Sequence, residues 1–292
     1  GVDDEKTKRF SLNRMVSSLR MAVADLEDRD PTSTPTVPVV QRALVVGGGI
    51  SGMHAALAVA DLGFPTDLVE QGEQLGGNLL WLKRTIDGLD VGELLKETVS
   101  RVEKHPNITV HTATRVAGAF GEVGHFFTTL EDLDGQTHHI EHGVAIIATG
   151  GSESETDIYG KSENPKVITQ SELEQKLADN SLDPEKLQTV AMIQCVGSRE
   201  EPRNFCSRVC CATALKNALF MKKKNPDLNV CILYRDMMAY GFAEKYFTEA
   251  RKSGVMFFAY DREDKPSVQT EGDGATKVKV NDRILGRPVE IE

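Results

Sequence analysis

The chain has 292 residues, enough for two domains and a sizeable core, and its 40% hydrophobic and 27% charged residues are typical of a globular protein. A formal net charge of −10 argues against a general nucleic-acid-binding surface, and no apolar run approaches the roughly 20 residues of a membrane-spanning helix. The N-terminus lacks the apolar core of a signal peptide. We therefore expect a cytoplasmic protein, whose five cysteines are more typical of metal or redox chemistry than of disulfides.

The pattern of residues 1–40 predicts a helix followed by a linker. Apolar residues recur at the spacing of one helical face, at Leu12, Met15, Val16, Leu19, Val23 and Leu26. Residues 30–38 are polar and rich in proline, as linkers are. Because the helix precedes the first core strand, its apolar face packs either on its own domain or on a partner.

A buried strand followed by a glycine-rich turn predicts a dinucleotide-binding unit. After the apolar run Ala43–Val46, the residues Gly47, Gly48, Gly49, Ile50, Ser51 and Gly52 fit the pattern G-x-G-x-x-G. In this pattern Gly47 allows the tight turn, Gly49 lets the backbone approach a pyrophosphate, and Gly52 lets the helix pack close to the strand. The helix that starts at Ile50 and Ser51 then offers free N–H groups and a positive dipole end to the phosphates.

The residues after the next predicted strand, Thr66–Val69, extend this site. Glu70 closes the strand and is placed to accept hydrogen bonds from ribose hydroxyls. Gln71 follows, and Gly76, Gly77 and Asn78 then allow the backbone to run close to a flat or charged ligand, with a simple turn as the alternative. The strand, helix and terminal acid together favour dinucleotide binding over an ordinary glycine turn.

The rest of the first half predicts further α/β elements. These are a helix at 89–102, strands at Ile108–His111 and 113–116, a hairpin formed by 126–130 and 138–140, and a buried strand that ends in Ala148, Thr149 and Gly150.

Together, the glycine-rich turn, Glu70, Gly76, Gly77 and the Ala-Thr-Gly ending resemble the FAD-binding half of thioredoxin-reductase-like flavoproteins with two dinucleotide domains. The resemblance implies that the turn holds the FAD pyrophosphate and that Glu70 binds the adenosine ribose. It also implies that backbone near Val116 meets adenine and that the Ala-Thr-Gly stretch closes over the cofactor. NAD competes as the ligand of the first motif alone, but the Gly-Gly pair and the Ala-Thr-Gly ending favour FAD.

The second half predicts a similar alternation without a second glycine motif. Helices are expected at 169–177, 207–224 and 242–253, strands at Thr189–Ile193, 230–233 and 255–260, and a polar loop at 264–276. Where the parent flavoproteins carry a glycine turn for NAD(P), this chain has QCVGSREE after the strand. Arg235 stands where an NADP enzyme could bind a 2′-phosphate.

Four cysteines follow that strand in a C-x10-C-x3-C-C arrangement, namely Cys195, Cys206, Cys210 and Cys211. On a helix Cys206 and Cys210 share a face, whereas Cys211 points about 100° away from Cys210. Four thiolates near a helix N-terminus suit an iron–sulfur cluster, because the helix dipole helps to hold their negative charge. Zinc, inert buried cysteines and a catalytic dithiol are the alternatives, and Cys231, in an apolar strand, is predicted to be a core residue.

The segment CVGSREEPRNFCSRVCC and the residues after it resemble the A-type subunit of heterodisulfide reductase and its bacterial relatives, from about Arg42 to the C-terminus. The resemblance implies that Cys195, Cys206, Cys210 and Cys211 ligate a 4Fe–4S cluster close to the FAD. It implies that the flavin bifurcates electron pairs, one electron going uphill toward ferredoxin and the other downhill. The implied partners are B- and C-type heterodisulfide reductase subunits, ferredoxin, and hydrogenase- or dehydrogenase-linked subunits, around a homodimer.

The chain departs from that family in two respects. It has no ferredoxin-type C-x2-C-x2-C-x3-C run, and residues 282–292 precede the second Ala-Thr-Gly strand and the Gly-Asp segment that complete the family's FAD site. We therefore expect a truncated form, a split subunit or a fragment, in which the C-terminal completion of the FAD domain is absent.

The predicted fold is α/β, with two Rossmann-like dinucleotide-binding-type domains and an N-terminal helical extension. The expected divisions are residues 1–40 for the helix and linker, 41–155 for the FAD-binding domain, and 156–292 for the NAD(P)-domain-like half that carries the cluster. The leading hypothesis is an electron-transfer flavoprotein subunit of the heterodisulfide reductase type. The alternatives are a stand-alone NAD(P)H-dependent flavin disulfide reductase and a scaffold subunit with a structural cluster.

Overall fold

The structure, a computed structural model, describes residues 2–29, 36–270 and 276–292. Most of the predicted linker at 30–38 and part of the predicted loop at 264–276 therefore lie outside the described residues. Contacts divide the chain into two units, Gly1–Val39 and Val40–Glu292. The predicted boundary between residues 155 and 156 falls inside the second unit and stays a prediction.

The first unit contains one long helix, α1, Val2–Glu27. It includes the predicted segment at 12–26. All of its described side chains from Leu12 to Glu27 are exposed, including the apolar face formed by Leu12, Met15, Leu19 and Leu26. Among the described residues, no helix is long and apolar enough to cross a membrane.

A parallel sheet organises the first half of the second unit. Its strands are β1 Ala43–Val46, β2 Thr66–Val69, β3 Ile108–His111 and β7 Val144–Ile147, in the order β3-β2-β1-β7. The helices α2 Ile50–Asp61 and α3 Val91–Lys104 cover one face, through a core that includes Val45, Met53 and Leu68. Because successive strand residues point to opposite faces, Leu44 and Val69 meet the other layer instead.

That other layer is a three-stranded antiparallel sheet of β4 Thr114–Glu122, β5 His125–Asp132 and β6 Thr137–His142. Leu130 and Ile140 pack from it onto the parallel sheet. The predicted hairpin is confirmed as the β5–β6 pair. The strand predicted at 113–116 continues to Glu122, because pairing with β5 overrides the low strand propensity of Gly118, Ala119 and Gly121.

The second half repeats this three-layer arrangement. Its parallel sheet has the order β10-β9-β8, formed by β8 Thr189–Ile193, β9 Asn229–Tyr234 and β10 Met256–Ala259. One face is covered by α4 Gln170–Ala178, α5 Cys210–Lys224 and α6 Glu244–Lys252, and the other by the antiparallel strands β11 Ser267–Thr270, β12 Thr276–Asp282 and β13 Arg287–Ile291.

The prediction of a polar loop at 264–276 is partly wrong, because β11 lies inside this range. This strand is polar except for Val268, so its sequence alone carries little strand signal. Val268 packs against the core beneath β9, next to Val278 and Tyr260. Partial burial of one side chain and pairing with β12 therefore make this segment a strand.

A buried ion pair joins the two halves of the second unit. Glu174 on α4 and Lys216 on α5 are almost fully buried and pair with each other. The second oxygen of Glu174 accepts hydrogen bonds from the backbone N–H of Lys83 (3.0 Å) and of Arg84 (3.3 Å), and Lys216 Nζ donates to Arg84 O at 3.1 Å. The pair therefore holds a loop of the first half against two helices of the second.

Asp67 is a buried carboxylate inside the first parallel sheet. It accepts hydrogen bonds from Arg42 Nε at 2.6 Å and Arg42 Nη2 at 3.1 Å, and its Oδ1 lies 2.8 Å from Nε2 of His111. Burial by itself raises the pKa of this carboxyl group, but the hydrogen bonds from His111 and Arg42 outweigh it, so the pKa of Asp67 is lowered overall. Asp67 thus ties together the starts of β1 and β2 and the end of β3.

We expect Asp67→Asn to reduce the free energy of unfolding by about 2 kcal/mol at neutral pH, because the buried carboxylate that accepts from Arg42 and His111 is replaced by a neutral amide. A carboxyl group with a lowered folded-state pKa stabilises the fold above its unfolded pKa, and that stabilisation disappears as the pH falls through the folded pKa. The variant should therefore lose stability less steeply than the wild type on acidification.

Chemical denaturation at a series of pH values measures both effects. Asp61→Asn is the matched control, because Asp61 is 58% exposed and pairs with His105 at 3.2 Å. It should change stability by less than about 1 kcal/mol. Equal losses in the two variants would contradict a structural role for the buried pair.

Candidate functional site

The glycine-rich turn lies between β1 and α2, and its three motif glycines are required for different reasons. A Cβ on Gly47 would lie 2.2 Å from Ala148 O, and Gly47 has a φ of +112°. A Cβ on Gly52 would lie 1.8 Å from Gly47 O, so only glycine allows α2 to pack this close to the turn. A Cβ on Gly49 meets nothing within 4 Å. The protein's own packing therefore requires Gly47 and Gly52, whereas Gly49 faces open space.

The start of α2 has N–H groups available to an anion. Gly49 is the N-cap and provides no side-chain hydrogen bond, and Ile50 and Ser51 form the first turn. The first N–H groups of a helix have no partner within the helix, and they carry the positive end of its dipole. A phosphate placed in the space at Gly49 would meet these groups directly.

Glu70 is held firmly over the turn. Its Oε2 accepts a hydrogen bond from the backbone N–H of Gly48, and its Oε1 accepts one from Gly72, both at 2.7 Å. Each carboxylate oxygen has two lone pairs, so both can still accept a hydrogen bond from a ribose hydroxyl. Gln71 is the exposed residue between these contacts.

The second glycine pair and the Ala-Thr-Gly stretch meet the same turn. Gly76 N donates to Gly48 O at 2.9 Å, and a Cβ on Gly77 would lie 3.0 Å from Gly49 Cα. Asn78 Nδ2 donates to Gly151 O at 2.9 Å, just past the predicted Ala148, Thr149 and Gly150. The structure therefore brings the four predicted segments of the cofactor site together at the carboxyl edge of the sheet.

Val116 belongs to β4, whose first residue Thr114 donates from its N–H to Glu70 O at 3.0 Å. It is partly exposed, and a bulge separates it from Gly118. Its place near Glu70 is compatible with the predicted adenine contact, which stays a prediction. The open position at Gly49, the uncapped helix start and the fixed carboxylate together fit a dinucleotide.

The four cysteines lie where the second half could have carried its own glycine turn, between β8 and α5. Cys195 is buried just after β8 and has a left-handed φ of 60°. Cys210 and Cys211 form the first turn of α5, whose N-cap Val209 provides no side-chain hydrogen bond. These placements agree with the predicted strand-end and helix-start positions.

The predicted start of the helix at residue 207 is wrong, and so is the shared helical face of Cys206 and Cys210. Arg208 has a φ of 63°, which an α-helix does not accommodate, so the helix begins only at Cys210. Cys206 lies in the preceding loop, where its Sγ accepts from the N–H of Arg208 at 3.4 Å. Its side chain can therefore approach a ligand from a different direction than Cys210.

Three of the thiols influence one another. The pKa of Cys210 is lowered to about 6, chiefly because the thiol of Cys211 donates a hydrogen bond to it, and the same contact raises the pKa of Cys211. Burial is the main cause that raises the pKa of Cys195, and Cys210 adds to the effect. In the described part of the chain, no three His, Cys, Asp or Glu side chains are arranged to hold a single metal ion.

Arg235 supports the cysteine loop. Its guanidinium is buried, donates to Ser198 O at 3.1 Å and pairs with Glu200 at 3.2 Å. The predicted alternative, a binder for a 2′-phosphate, would require these contacts to break. Arg199 is a site residue that the sequence pattern did not predict, and its Nη2 pairs with Asp236 at 2.7 Å. Its one signal in the sequence is a basic residue inside a cysteine motif.

The family described as pyridine nucleotide-disulphide oxidoreductase matches residues 41–197, which is more than half of the chain. The chain therefore belongs to this family of oxidoreductases, and this membership supports FAD as its cofactor. The solved structures of thioredoxin reductase from T. acidophilum and Lactococcus lactis share the fold, with TM-scores of 0.54 and 0.54. They are 19% and 17% identical, and the matches cover 87% and 86% of this chain and 75% and 74% of those chains.

Curated relatives confirm the resemblance to the A-type subunit of heterodisulfide reductase. The A-type subunit of the H(2):CoB-CoM heterodisulfide,ferredoxin reductase of Methanothermobacter marburgensis is 28% identical over 94% of this chain and 55% of that protein. The second iron-sulfur A-type subunit of the CoB–CoM heterodisulfide reductase of Methanopyrus kandleri is 29% identical over 94% of this chain and 56% of that protein. The chain thus spans about half the length of the curated relatives it matches.

The contrast between Gly49 and Gly52 makes the cofactor site testable. We expect Gly49→Val to keep a melting temperature near that of the wild type, because a Cβ at this position has no protein atom within 4 Å. It should lose FAD because the side chain fills the pyrophosphate space. Gly52→Val should lower the melting temperature as well, because its Cβ collides with the turn. FAD titration followed by flavin fluorescence, together with thermal melts, measures both. Wild-type affinity in Gly49→Val would contradict the assignment.

Proposed function

We propose that this chain is a flavoprotein subunit that passes electrons between FAD and a 4Fe–4S cluster within a heterodisulfide-reductase-type complex. The observation that carries the proposal is the cysteine loop between β8 and α5, which stands where a nicotinamide-binding turn would otherwise connect a strand to a helix. The names of the two relatives support the same assignment, since both are heterodisulfide reductase subunits and the one from Methanopyrus kandleri is an iron-sulfur subunit.

The flavin half of the proposal rests on the carboxyl edge of the first parallel sheet. Gly47, Gly49, Ile50, Ser51 and Gly52 would hold the pyrophosphate at the start of α2. The ribose would meet Glu70 and Gln71, the adenine Val116, and the flavin end Gly77, Asn78, Ala148, Thr149 and Gly150. When bound, FAD supplies a carrier that exchanges electrons in pairs or singly.

The cluster half rests on Cys195, Cys206, Cys210 and Cys211 as ligands. In a four-iron cluster each thiolate binds a different iron, so the required sulfur positions differ from those around a single ion. Left-handed backbone at Cys195, Gly197, Arg199 and Arg208 is of the kind that turns N–H groups toward bound anions and Fe–S sites. The uncapped start of α5 adds further free N–H groups.

Two buried guanidinium atoms near the loop also fit a negatively charged group. Arg199 Nη1 and Arg235 Nε are buried without a hydrogen-bond partner. A buried charged donor without an acceptor is costly, so such atoms favour an anionic partner at this place. When bound, the cluster supplies a one-electron carrier at the end of β8.

The two alternatives from the sequence have less support. A stand-alone NAD(P)H-dependent flavin disulfide reductase needs room for nicotinamide nucleotide at the second sheet, where the cysteine loop lies and Arg235 is already engaged. A scaffold with a structural cluster does not account for the family's redox fold. Within a larger assembly, the proposed flavin would also be the place at which electron pairs are bifurcated.

The cluster is tested by anaerobic reconstitution with iron and sulfide. About four irons and four sulfides per chain, with an EPR signal after reduction, are expected from four-thiolate ligation. Cys195→Ala and Cys210→Ala should lose the cluster. Cys231→Ala should keep it, because Cys231 is buried in β9 and burial alone raises its pKa to about 11. Stoichiometric zinc without sulfide, or tight NAD(P)H binding, would overturn the proposal.

We also propose that the chain works in the cytoplasm as part of an assembly, as a homodimer that binds other redox subunits. The exposed apolar face of α1 supports this, since large exposed apolar patches are typical of interaction surfaces. The open edge of the first sheet at β7, where Val144 and Ile147 are 48% and 70% exposed, supports it independently.

The assembly is tested by gentle anaerobic purification from the native host. We expect at least one further iron–sulfur protein to co-purify, of the B- or C-type subunit, ferredoxin, or hydrogenase- or dehydrogenase-linked kind. Mass spectrometry of the intact complex identifies the partners. Recovery of the chain only as a monomer would count against the proposed assembly.

A further inference from the structure

Two arginines at the cysteine loop are fixed by contacts that leave one N–H group of each unused. Arg235 is 6% exposed, and its two terminal nitrogens bind Ser198 O and Glu200, while its Nε has no partner. Arg199 binds Asp236 through Nη2, while its buried Nη1 has no partner. The two residues differ in what their side chains can reach.

Arg199 is the arginine whose side chain acts on a cysteine. Burial and Cys210 raise the pKa of Cys195, whereas the backbone N–H of Arg235 and the guanidinium of Arg199 act in the opposite direction. The pKa of Arg199 is raised in turn, first by its hydrogen bond to Asp236 and also by Cys195. Contacts place it at the thiols as well, because Asp236 binds Arg199 Nη2 at 2.7 Å and its backbone carbonyl accepts a hydrogen bond from the thiol of Cys211 at 3.8 Å. The guanidinium of Arg199 is therefore anchored to a residue that contacts a candidate ligand thiol.

The position of Arg199 is fixed at both of its ends. Its backbone has a left-handed φ of 61°, and its N–H donates to Phe205 O at 3.2 Å, across the loop. Its guanidinium is anchored by Asp236, which also lies 3.6 Å from Arg283 and whose pKa is lowered chiefly by the hydrogen bond from Arg199. Backbone strain of this kind persists where the surroundings impose it, and it often marks a functional position.

We propose that Arg199 raises the reduction potential of the 4Fe–4S cluster by holding a fixed positive charge beside the cysteine loop. This inference rests on the proposed function, since it assigns a role at the cluster proposed there. Reduction adds one electron to the cluster, and no bond forms or breaks. The reduced cluster is more negative by one charge, so a nearby cation stabilises it more than the oxidised form.

Arginine suits this role better than lysine. Its guanidinium keeps its charge at every pH at which the protein is folded, so the effect does not depend on pH. Its planar fork binds Asp236 through Nη2 and still has the buried Nη1, which has no partner in the protein, to donate to an anionic group. Hydrogen bonds to cluster sulfurs are among the main influences on cluster potentials.

The test is a redox titration of the anaerobically reconstituted full chain, followed by EPR. In Arg199→Gln we expect the ratio of reduced to oxidised cluster at a fixed potential to fall about tenfold, which is a downward shift of about 59 mV for one electron. Arg199→Lys should stay close to the wild type. The matched control is Lys265→Gln, which removes the same charge from a half-exposed side chain that binds Glu200 and not a cysteine.

The outcomes separate the two proposals. A wild-type chain without iron and sulfide would overturn the proposed function, whereas an intact cluster with an unchanged potential in Arg199→Gln would overturn only the role of Arg199. An equal shift in Lys265→Gln would also overturn it, because the effect would then be one of overall charge. If Arg199→Gln assembles no cluster, the reduction potential measured in Arg199→Lys decides whether Arg199 has the proposed role. A potential near that of the wild type supports the inference, and a tenfold fall in the ratio despite the retained charge overturns it.

Discussion

The close approach of α2 to the turn after β1 is the constraint on which the first half depends. Gly52 allows it, since a Cβ there would lie 1.8 Å from Gly47 O. With the helix this close, the Gly48 N–H reaches Glu70 and the Gly48 carbonyl accepts from Gly76. One steric requirement therefore brings the helix start, the carboxylate and the second glycine pair to one edge of the sheet, where a dinucleotide fits.

The second half uses the same strand-to-helix position in a different way. A glycine turn exposes N–H groups to phosphates. The loop after β8 instead carries thiols, and ion pairs and hydrogen bonds from two arginines hold it in place. Arg235, the residue directly after β9, binds Ser198 and Glu200, and Arg199 binds Asp236. Under the proposed function, both connections bind an anionic group at a helix N-terminus, so two similar folds serve two different electron carriers.

Under the proposed function, electron transfer between the two carriers requires the two halves to keep a constant separation. The buried pair of Glu174 and Lys216 meets this requirement, because it ties the backbone of Lys83 and Arg84, a few residues after Gly77 and Asn78, to α4 and to the helix that begins with Cys210. Breaking such a buried pair is strongly destabilising, so we expect this contact between the halves to persist in the folded protein. Family membership and the relatives named above place this geometry among redox flavoproteins.

The sequence by itself determined the parallel strands, the glycine turn, Glu70 and the cysteine motif, because short apolar runs, obligatory glycines and clustered thiols are local signals. Only the tertiary structure decided the rest. The left-handed Arg208 delays α5 to Cys210 and separates Cys206 from it, and pairing with β12 makes a strand of the polar β11. Likewise, Arg199 meets Asp236 only in the folded chain, since loop conformation and long-range contacts leave no periodic pattern in the sequence.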